Sequence, residues 1–561
     1  MAPKYAFNPE DARTFIKEGA WFKDVKGRYL LFRGANLASR SKLVPYLPVY
    51  PPGVNILSEK ALRTELDAIR GPLSKLKSLG FNVVRLVIMW KGLAPDEATV
   101  ARADYLDAVR VIVEHLFELG IYSLIDFHQD IAYEGYGGDG FPDWAIVDPP
   151  SPPPYVEPSP AWGLRVYDLP LPSWPCVFPE LHTQVRNTLT AFWNNKTQNH
   201  GKQFNTRDRL MATIQKTAAK LKDLPGIIGY EPFNEPSQVS FTKQVFEEKY
   251  LGPFYREAIE NISEVDPQSA VFAEPRVDWN YFSYANEEVL FDLVNFIKNP
   301  TQEARTFLPR LPGQKTVFAF HYYDPVTAFR AGFDITDDMS SKQSLWSDMF
   351  KMMMQAARDR DLIPFLTEYG CDYSGVWLSP AKVDSRAYSS QAAAYMDLSL
   401  QQIEANLVSS TLWVFDLYNT AAHGDNWNDE SASVLDTDHQ LHDPDILARP
   451  YPMRSSARPS LLFFDSLRKH GVIMMEGKPA SGGAPSIIYI PDEFQYGGGF
   501  DVHYTTGEID WDGVNHLLYW IPAMDKTNHQ IAICPKNGLD KNVLPRASRA
   551  LLEHSLIFHP K

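Results

Sequence analysis

Eight apolar, β-branched or aromatic runs follow one another along this 561-residue chain, at 29–36, 82–90, 121–128, 227–234, 270–276, 316–323, 364–369 and 411–418. Between them lie stretches with helical periodicity, such as 59–79 and 101–119. Strands that alternate with helices imply a parallel sheet covered by those helices. Eight of them suggest closure into a barrel, and no glycine-rich phosphate turn follows the first run, as a doubly wound sheet would lead one to expect. The expected fold class is therefore α/β, with a (β/α)8 TIM barrel over residues 1–450. After about Pro450 the pattern changes to short runs at 486–490, 500–504 and 516–521, separated by turn residues at 497–499, 506–507 and 512–513. That change predicts a C-terminal antiparallel β-sandwich over 451–561. Its Trp511, Tyr519 and Trp520 read as core before they read as carbohydrate or lipid contacts.

Charge and cysteine usage narrow the partners. With 54 Lys and Arg against 69 Asp and Glu, the net charge of −15 repels phosphate backbones, so nucleic acid is not an expected partner. The three cysteines, Cys176, Cys371 and Cys534, are odd in number and widely scattered, which supports neither a disulfide framework nor a zinc site. The first residues lack a basic stretch followed by an apolar core, and no later segment approaches ~18 uninterrupted apolar residues. A cytoplasmic location is expected. The Asn-x-Ser/Thr matches at Asn195 and Asn261 are short enough to recur by chance.

One segment has a composition of its own. Between 148 and 180 eleven prolines are interleaved with Tyr155, Trp162, Tyr167, Trp174 and Phe178. So many prolines exclude helix and central strand, leaving a stiff loop between the third and fourth strands. It reads either as a lid over the catalytic face or as a cover whose aromatics pack on neighbouring loops.

Two glutamates close strand-like runs: Glu235 in Ile227-Ile-Gly-Tyr-Glu-Pro-Phe-Asn-Glu-Pro236, and Glu368 in Ile363-Pro-Phe-Leu-Thr-Glu-Tyr-Gly370. A parallel barrel keeps its chemistry at the C-terminal ends of its strands, where both carboxylates would stand. Glycosidic hydrolysis needs one protonated and one ionised carboxyl flanking the anomeric carbon, and this pair, on strands four and seven, fits that need. Either short motif alone could be a strand-end turn with a solvated carboxylate.

At these residues the chain resembles glycoside hydrolase family 5, over roughly residues 20 to 430. Arg33-Gly-Ala-Asn36 looks like the family's opening motif, Arg85 its second-strand arginine, and His128 its third-strand histidine. Asn234-Glu235 looks like its Asn-Glu pair, His321-Tyr-Tyr323 its His-x-Tyr motif, Glu368 its nucleophile and Trp413 its eighth-strand tryptophan. The resemblance implies a retaining reaction, with Glu235 as acid/base and Glu368 as nucleophile. It further implies that Arg85 lowers the pKa of Glu368, Tyr323 orients it, His321 bonds Glu235, Asn234 holds a sugar hydroxyl and Trp413 lies under the ring. Read alone, the arginine could be a structural ion pair, the histidines satisfied core groups and the tryptophan packing.

Two longer stretches, 128–145 and 423–430, resemble those of endoglycoceramidases and their fungal relatives. In that group Lys42 and Asp130 look like residues that hold the sugar nearest the scissile bond. The resemblance implies a β-glucosidase acting on steryl glucoside or glucosylceramide, with transient membrane contact. Alternatives are an endoglycoceramidase, an endo-β-glucanase acting on soluble glucans, and a non-catalytic carbohydrate-binding barrel. No cofactor or metal is expected; the spacing of carboxylates and histidines does not suggest the metal cluster of a phosphatase or nuclease.

Overall fold

The computed structural model describes residues 15–51, 54, 57–136, 138–147, 183–277, 306–312, 316–323, 339–371, 373, 389–420, 424–425, 427, 431–549 and 555–560. The proline-rich loop at 148–180 and Cys176 lie outside them. Eight strands form a closed barrel: Arg33–Leu37, Val83–Met89, Tyr122–His128, Ile227–Glu231, Ala270–Ala273, Thr316–His321, Ile363–Glu368 and Ser409–Leu412. Each pairs in parallel with the next, and the eighth closes on the first through Ser410 opposite Arg33. These strands are buried almost throughout, without polar alternation, because helices cover one face and interior side chains fill the other. Gly34 is required in the first strand: a Cβ there would sit 1.7 Å from the Val83 carbonyl oxygen.

Local chemistry shifts several boundaries. The 59–79 stretch forms two helices, Glu59–Ala68, capped by the Ser58 hydroxyl, and Arg70–Ser78. Pro72 has no N–H to return to residue 68, so one continuous helix cannot pass through it. The fourth strand stops at Glu231, since Pro232 cannot continue the ladder, and Glu235 therefore lies four residues beyond the strand. The first apolar run is also divided. Tyr29–Leu30 belongs to a different sheet, and only Arg33–Leu37 enters the barrel.

That other sheet is antiparallel, has seven strands and draws on both ends of the chain. Ile16–Glu18, Trp21–Lys23 and Tyr29–Leu30 join Tyr451–Ser455, Ser486–Tyr489, Leu517–Ile521 and Glu508–Asp512. Arg454 pairs with Leu30 at the junction. A five-stranded antiparallel sheet holds Arg458–Asp465, His470–Glu476, Asn528–Pro535, Phe500–Tyr504 and Leu556–Phe558. Residues from both sheets share one buried cluster, including Ile473, Val502, Ile533, Ile488, Leu518 and Trp520. The N-terminal strands also serve the barrel: Phe15 and Phe22 pack with Phe32, Val83, Tyr122, Ile228 and Ile363, near the strands' N-terminal ends. Among the described residues, no helix is long and apolar enough to cross a membrane.

A buried ion network lies just ahead of the C-terminal sheets. Arg449 bonds Asp397 and Glu404 on the helix Gln391–Ala405, and Arg33 reaches the other oxygen of Glu404 at 3.1 Å. All four side chains are at most 5% exposed. Removing one partner of such a network leaves uncompensated buried charge. Arg449→Ala is expected to lower unfolding free energy by about 3–5 kcal/mol in urea titrations; a loss below ~1 kcal/mol, the range of a surface pair, would contradict this.

Candidate active site

The strands' C-terminal ends bring together every residue singled out by sequence, around one fully buried guanidinium. Arg85 Nη1 donates to Glu368 Oε1 at 2.6 Å and to Asn36 Oδ1 at 3.0 Å. Its Nε donates to Glu231 Oε2 at 2.5 Å, and its Nη2 to Asn234 Oδ1 at 2.7 Å, with Asp126 Oδ1 3.1 Å away. One cation thus faces three carboxylates from strands three, four and seven. Its own pKa is carried well above the usual value: burial acts against the charge, but Asp126, Glu231 and Glu368 outweigh it.

Glu368 is 6% exposed and is held from two sides. Arg85 takes one oxygen, and Tyr323 Oη donates to the other at 3.0 Å. Sequence alone suggests a carboxyl lowered by Arg85, yet its pKa is raised, because burial outweighs the nearby cations. The guanidinium's charge is divided among Asp126, Glu231 and Glu368. His321 also lowers Glu368, though burial depresses the imidazole itself to about 3.

Glu235 is 5% exposed and stands in the left-handed region, at φ 43°. The turn that places it begins at Pro232, and Glu235 N–H donates to Glu274 Oε2 at 2.8 Å. His321 Nδ1 lies 2.8 Å from Glu235 Oε1 and 3.6 Å from Glu368 Oε2. Carboxylate oxygens of Glu235 and Glu368 and a ring nitrogen of His321 all fall within 4.8 Å of one another.

A second, polar and aromatic group adjoins this pair through Asn234. Asn234 Nδ2 donates to the Gln129 carbonyl at 3.1 Å and approaches His128 Nε2 and Asp130 Oδ1 at 3.4 Å. His128 Nδ1 is 2.6 Å from Asp126 Oδ2, so Asp126 bridges the histidine to Arg85. Trp413 stacks on His128 with ring centres 5.8 Å apart, and Trp427 stands edge-on to both. Trp427 Nε1 donates to Asp130 Oδ2 at 3.2 Å, while Lys42 Nζ lies 4.4 Å over the Trp427 ring and 3.3 Å from Asp139 Oδ2. Burial raises both aspartates; His128 reverses this for Asp130, to about 2, whereas Asp139, with Asp130's charge beside it, rises to about 7. His128 is itself raised despite burial, by Asp126 and Asp130.

Several participants were not singled out by sequence. Asp126 sits two residues before His128 on one strand, and that period of two, which puts both on the barrel's inner face, was a usable signal. Glu231 and Glu274 each precede a proline, at Glu231-Pro232 and Glu274-Pro275. Burial raises both, Glu231 to about 7 against the pull of Arg85, and Glu274 well above the ordinary carboxyl range. Three clusters with metal-ligand chemistry arise: His128, Asp130 and Asp139 within one segment, and, across strands, Glu231, Glu274 and His321 and Glu235, His321 and Glu368. In each, protein cations lie against a carboxylate, Lys42 on Asp139 and Arg85 on Glu231 and Glu368.

An endoglycoceramidase of Cyanea nozakii is 27% identical over 316 residues, covering 54% of this chain and 55% of that protein. A glucosylceramidase of Rhizopus delemar is 22% identical over 547 residues, covering 76% and 79%. The chain spans about half the length of the curated endoglycoceramidases it matches. The crystal structure of Cryptococcus neoformans sterylglucosidase 1 superposes with a TM-score of 0.68 at 15% identity, covering 95% of this chain and 99% of that one, a likeness of fold. The family model for cellulase (glycosyl hydrolase family 5) matches residues 70–419, more than half of the chain, and the chain belongs to that family of glycoside hydrolases.

Proposed function

We propose that this glycoside hydrolase is a retaining β-glucosidase that removes glucose from lipid glucosides, steryl glucoside or glucosylceramide, with Glu235 as acid/base and Glu368 as nucleophile. The observation that carries the reading is the approach of the two carboxylates, with oxygens within 4.8 Å. Double displacement uses carboxyl groups roughly 5–5.5 Å apart, whereas inversion leaves roughly 6.5–9.5 Å for a water molecule. In this reading Glu368, held by Arg85 and Tyr323, attacks C1 while Glu235 protonates the departing oxygen. Glu235, then ionised, draws a proton from water as that water attacks the glycosyl ester.

The neighbouring polar group suits the glycone. Lys42, His128, Asp130 and Asn234 converge beside the pair, and Trp413 and Trp427 border them with apolar surface. Asn234 is already oriented by Arg85 and directs its amide nitrogen toward this group, as a partner for the 2-hydroxyl would. The lipid aglycone is supported by the relatives, named for glucosylceramide and steryl glucoside cleavage. Release of a whole oligosaccharide from ceramide is the second reading, favoured by the endoglycoceramidase match. We read the two antiparallel sheets as a supporting β-sandwich, since one buried cluster unites them.

Glu368→Gln is expected to lower turnover roughly a thousandfold or more while glucoside binding persists in calorimetry; near-normal turnover would remove Glu368 from the mechanism. Hydrolysis of steryl glucoside and glucosylceramide should exceed that of a ganglioside or a glucan, and the opposite order would favour the second reading or a glucanase. The nucleophile must be ionised, so activity is lost as pH falls through its pKa. Because that pKa is raised, the acid limb of kcat/KM should have its midpoint above 4.5, and a midpoint at or below 4.5 would contradict the effect of burial.

A further inference from the structure

The acid/base candidate is clamped twice by one buried side chain outside the reacting pair. Glu274 lies just beyond the fifth strand, Ala270–Ala273, and is fully buried. Its Oε2 accepts the backbone N–H of Glu235 at 2.8 Å. Its Oε1 lies 3.5 Å from His321 Nε2, whose opposite nitrogen, Nδ1, is 2.8 Å from Glu235 Oε1. Backbone of Glu235, carboxyl of Glu274, ring of His321 and carboxyl of Glu235 thus adjoin in turn, the Oε1–Nε2 approach being an electrostatic contact longer than an ordinary hydrogen bond. Glu274 is anchored in turn by Tyr255, whose hydroxyl accepts the Glu274 N–H at 3.0 Å and donates to its carbonyl at 2.9 Å.

We infer that Glu274 is a positioning residue for the acid/base: it holds the left-handed turn at Glu235 and, through His321, directs a ring proton at the Glu235 carboxyl. The inference rests on the reading of Glu235 given above. Two features make both halves necessary. Glutamate rarely adopts positive φ, and at φ 43° the turn depends on what its N–H meets. A neutral imidazole carries one proton, and which nitrogen holds it is decided by the partner of the other nitrogen. Burial, with Glu231 and Glu235 nearby, raises Glu274 well above the ordinary carboxyl range and so favours its protonated form. A protonated Glu274 can donate toward Nε2, which leaves the ring proton on Nδ1, facing Glu235 Oε1. That hydrogen bond favours ionised Glu235, the form that must activate water, while the ring remains neutral because burial opposes its charging.

The test uses Glu274→Ala, Glu274→Asp and Glu274→Gln in the full chain, with pH profiles of kcat. Glutamine reproduces both contacts, its carbonyl accepting the Glu235 N–H and its amide donating toward Nε2, so it should keep the wild-type profile. Aspartate is one methylene too short and alanine lacks the groups. Both should lose on the order of 10²-fold in kcat, as expected for a misplaced reacting group, with KM little changed. Both should also move the basic limb to higher pH, because Glu235 loses support for its charge. A loss confined to folding would lower activity without moving that limb, and Glu274→Asp supplies the profile if the alanine variant does not fold. An unmoved limb in the folded variants, or a glutamine variant as displaced as alanine, overturns the inference. Glu235→Ala is assayed beside them on lipid glucoside and on 2,4-dinitrophenyl glucoside, whose departure needs no acid. Normal activity of Glu235→Ala on the lipid glucoside would reject the acid/base reading itself; its loss there, with wild-type limbs at position 274, would reject only the role of Glu274.

Discussion

A guanidinium sealed inside a barrel sets the terms for nearly everything around it. Arg85 has no water to share its charge, and a buried ion persists only if hydrogen bonds and counter-charges replace its hydration. The barrel supplies these from four strands and their ends: Asn36, Asp126, Glu231, Asn234 and Glu368. Three of these groups are potentially anionic, more than one cation can neutralise. The surplus appears as raised pKa values at Glu231 and, further out, at Glu274. The site is therefore one electrostatic unit, and the protonation of each carboxyl depends on its neighbours.

Much of this site was legible because barrel chemistry is tied to strand ends. A short apolar run ending in Glu, Arg or His locates both the strand and the face on which the residue stands. Arg85, His128, His321 and Glu368 all lie on strands, and the eight runs occur in the expected order. Reading failed where a second principle intervened. Proline at 232 ended the fourth strand early, so Glu235 stands in a loop at positive φ, its N–H bonded to a residue 39 positions away. No local pattern encodes that contact. The first two N-terminal strands were missed because three residues each are too few to show alternation, and Tyr29–Leu30 was merged with the first barrel run because its partner in the C-terminal sheet lies more than 400 residues onward.

Arg85 does lower the Glu368 carboxyl, as the sequence suggests, but burial outweighs it, for a related reason. Sequence reveals that an arginine stands nearby, but not how many carboxylates share it or how dry the site is. Burial depends on the whole barrel and its covering loops, whereas a motif reports only types and spacing. The same holds for Asp130 and Asp139, nine residues apart and in mutual contact: His128 overcomes burial at Asp130, whereas burial and the charge of Asp130 raise Asp139.

The two ends of the barrel divide the work. Phe15, Phe22 and Phe32 pack among the N-terminal ends of the strands, where the antiparallel sheet is also joined through Tyr29–Leu30. That cluster is apolar apart from the phenol of Tyr122, whose hydroxyl accepts from buried Arg454 at 3.0 Å, so packing there answers mainly to shape and apolar contact. At the C-terminal ends, by contrast, buried carboxyls, histidines and one arginine are kept together although mutual repulsion and lost hydration both oppose it. Such an arrangement is tolerable because the opposite end and the outer helices contribute the folding free energy. A change at the apolar end should therefore alter stability with little effect on the pH dependence of the chemistry, whereas a change to any carboxyl around Arg85 shifts the protonation of all the others.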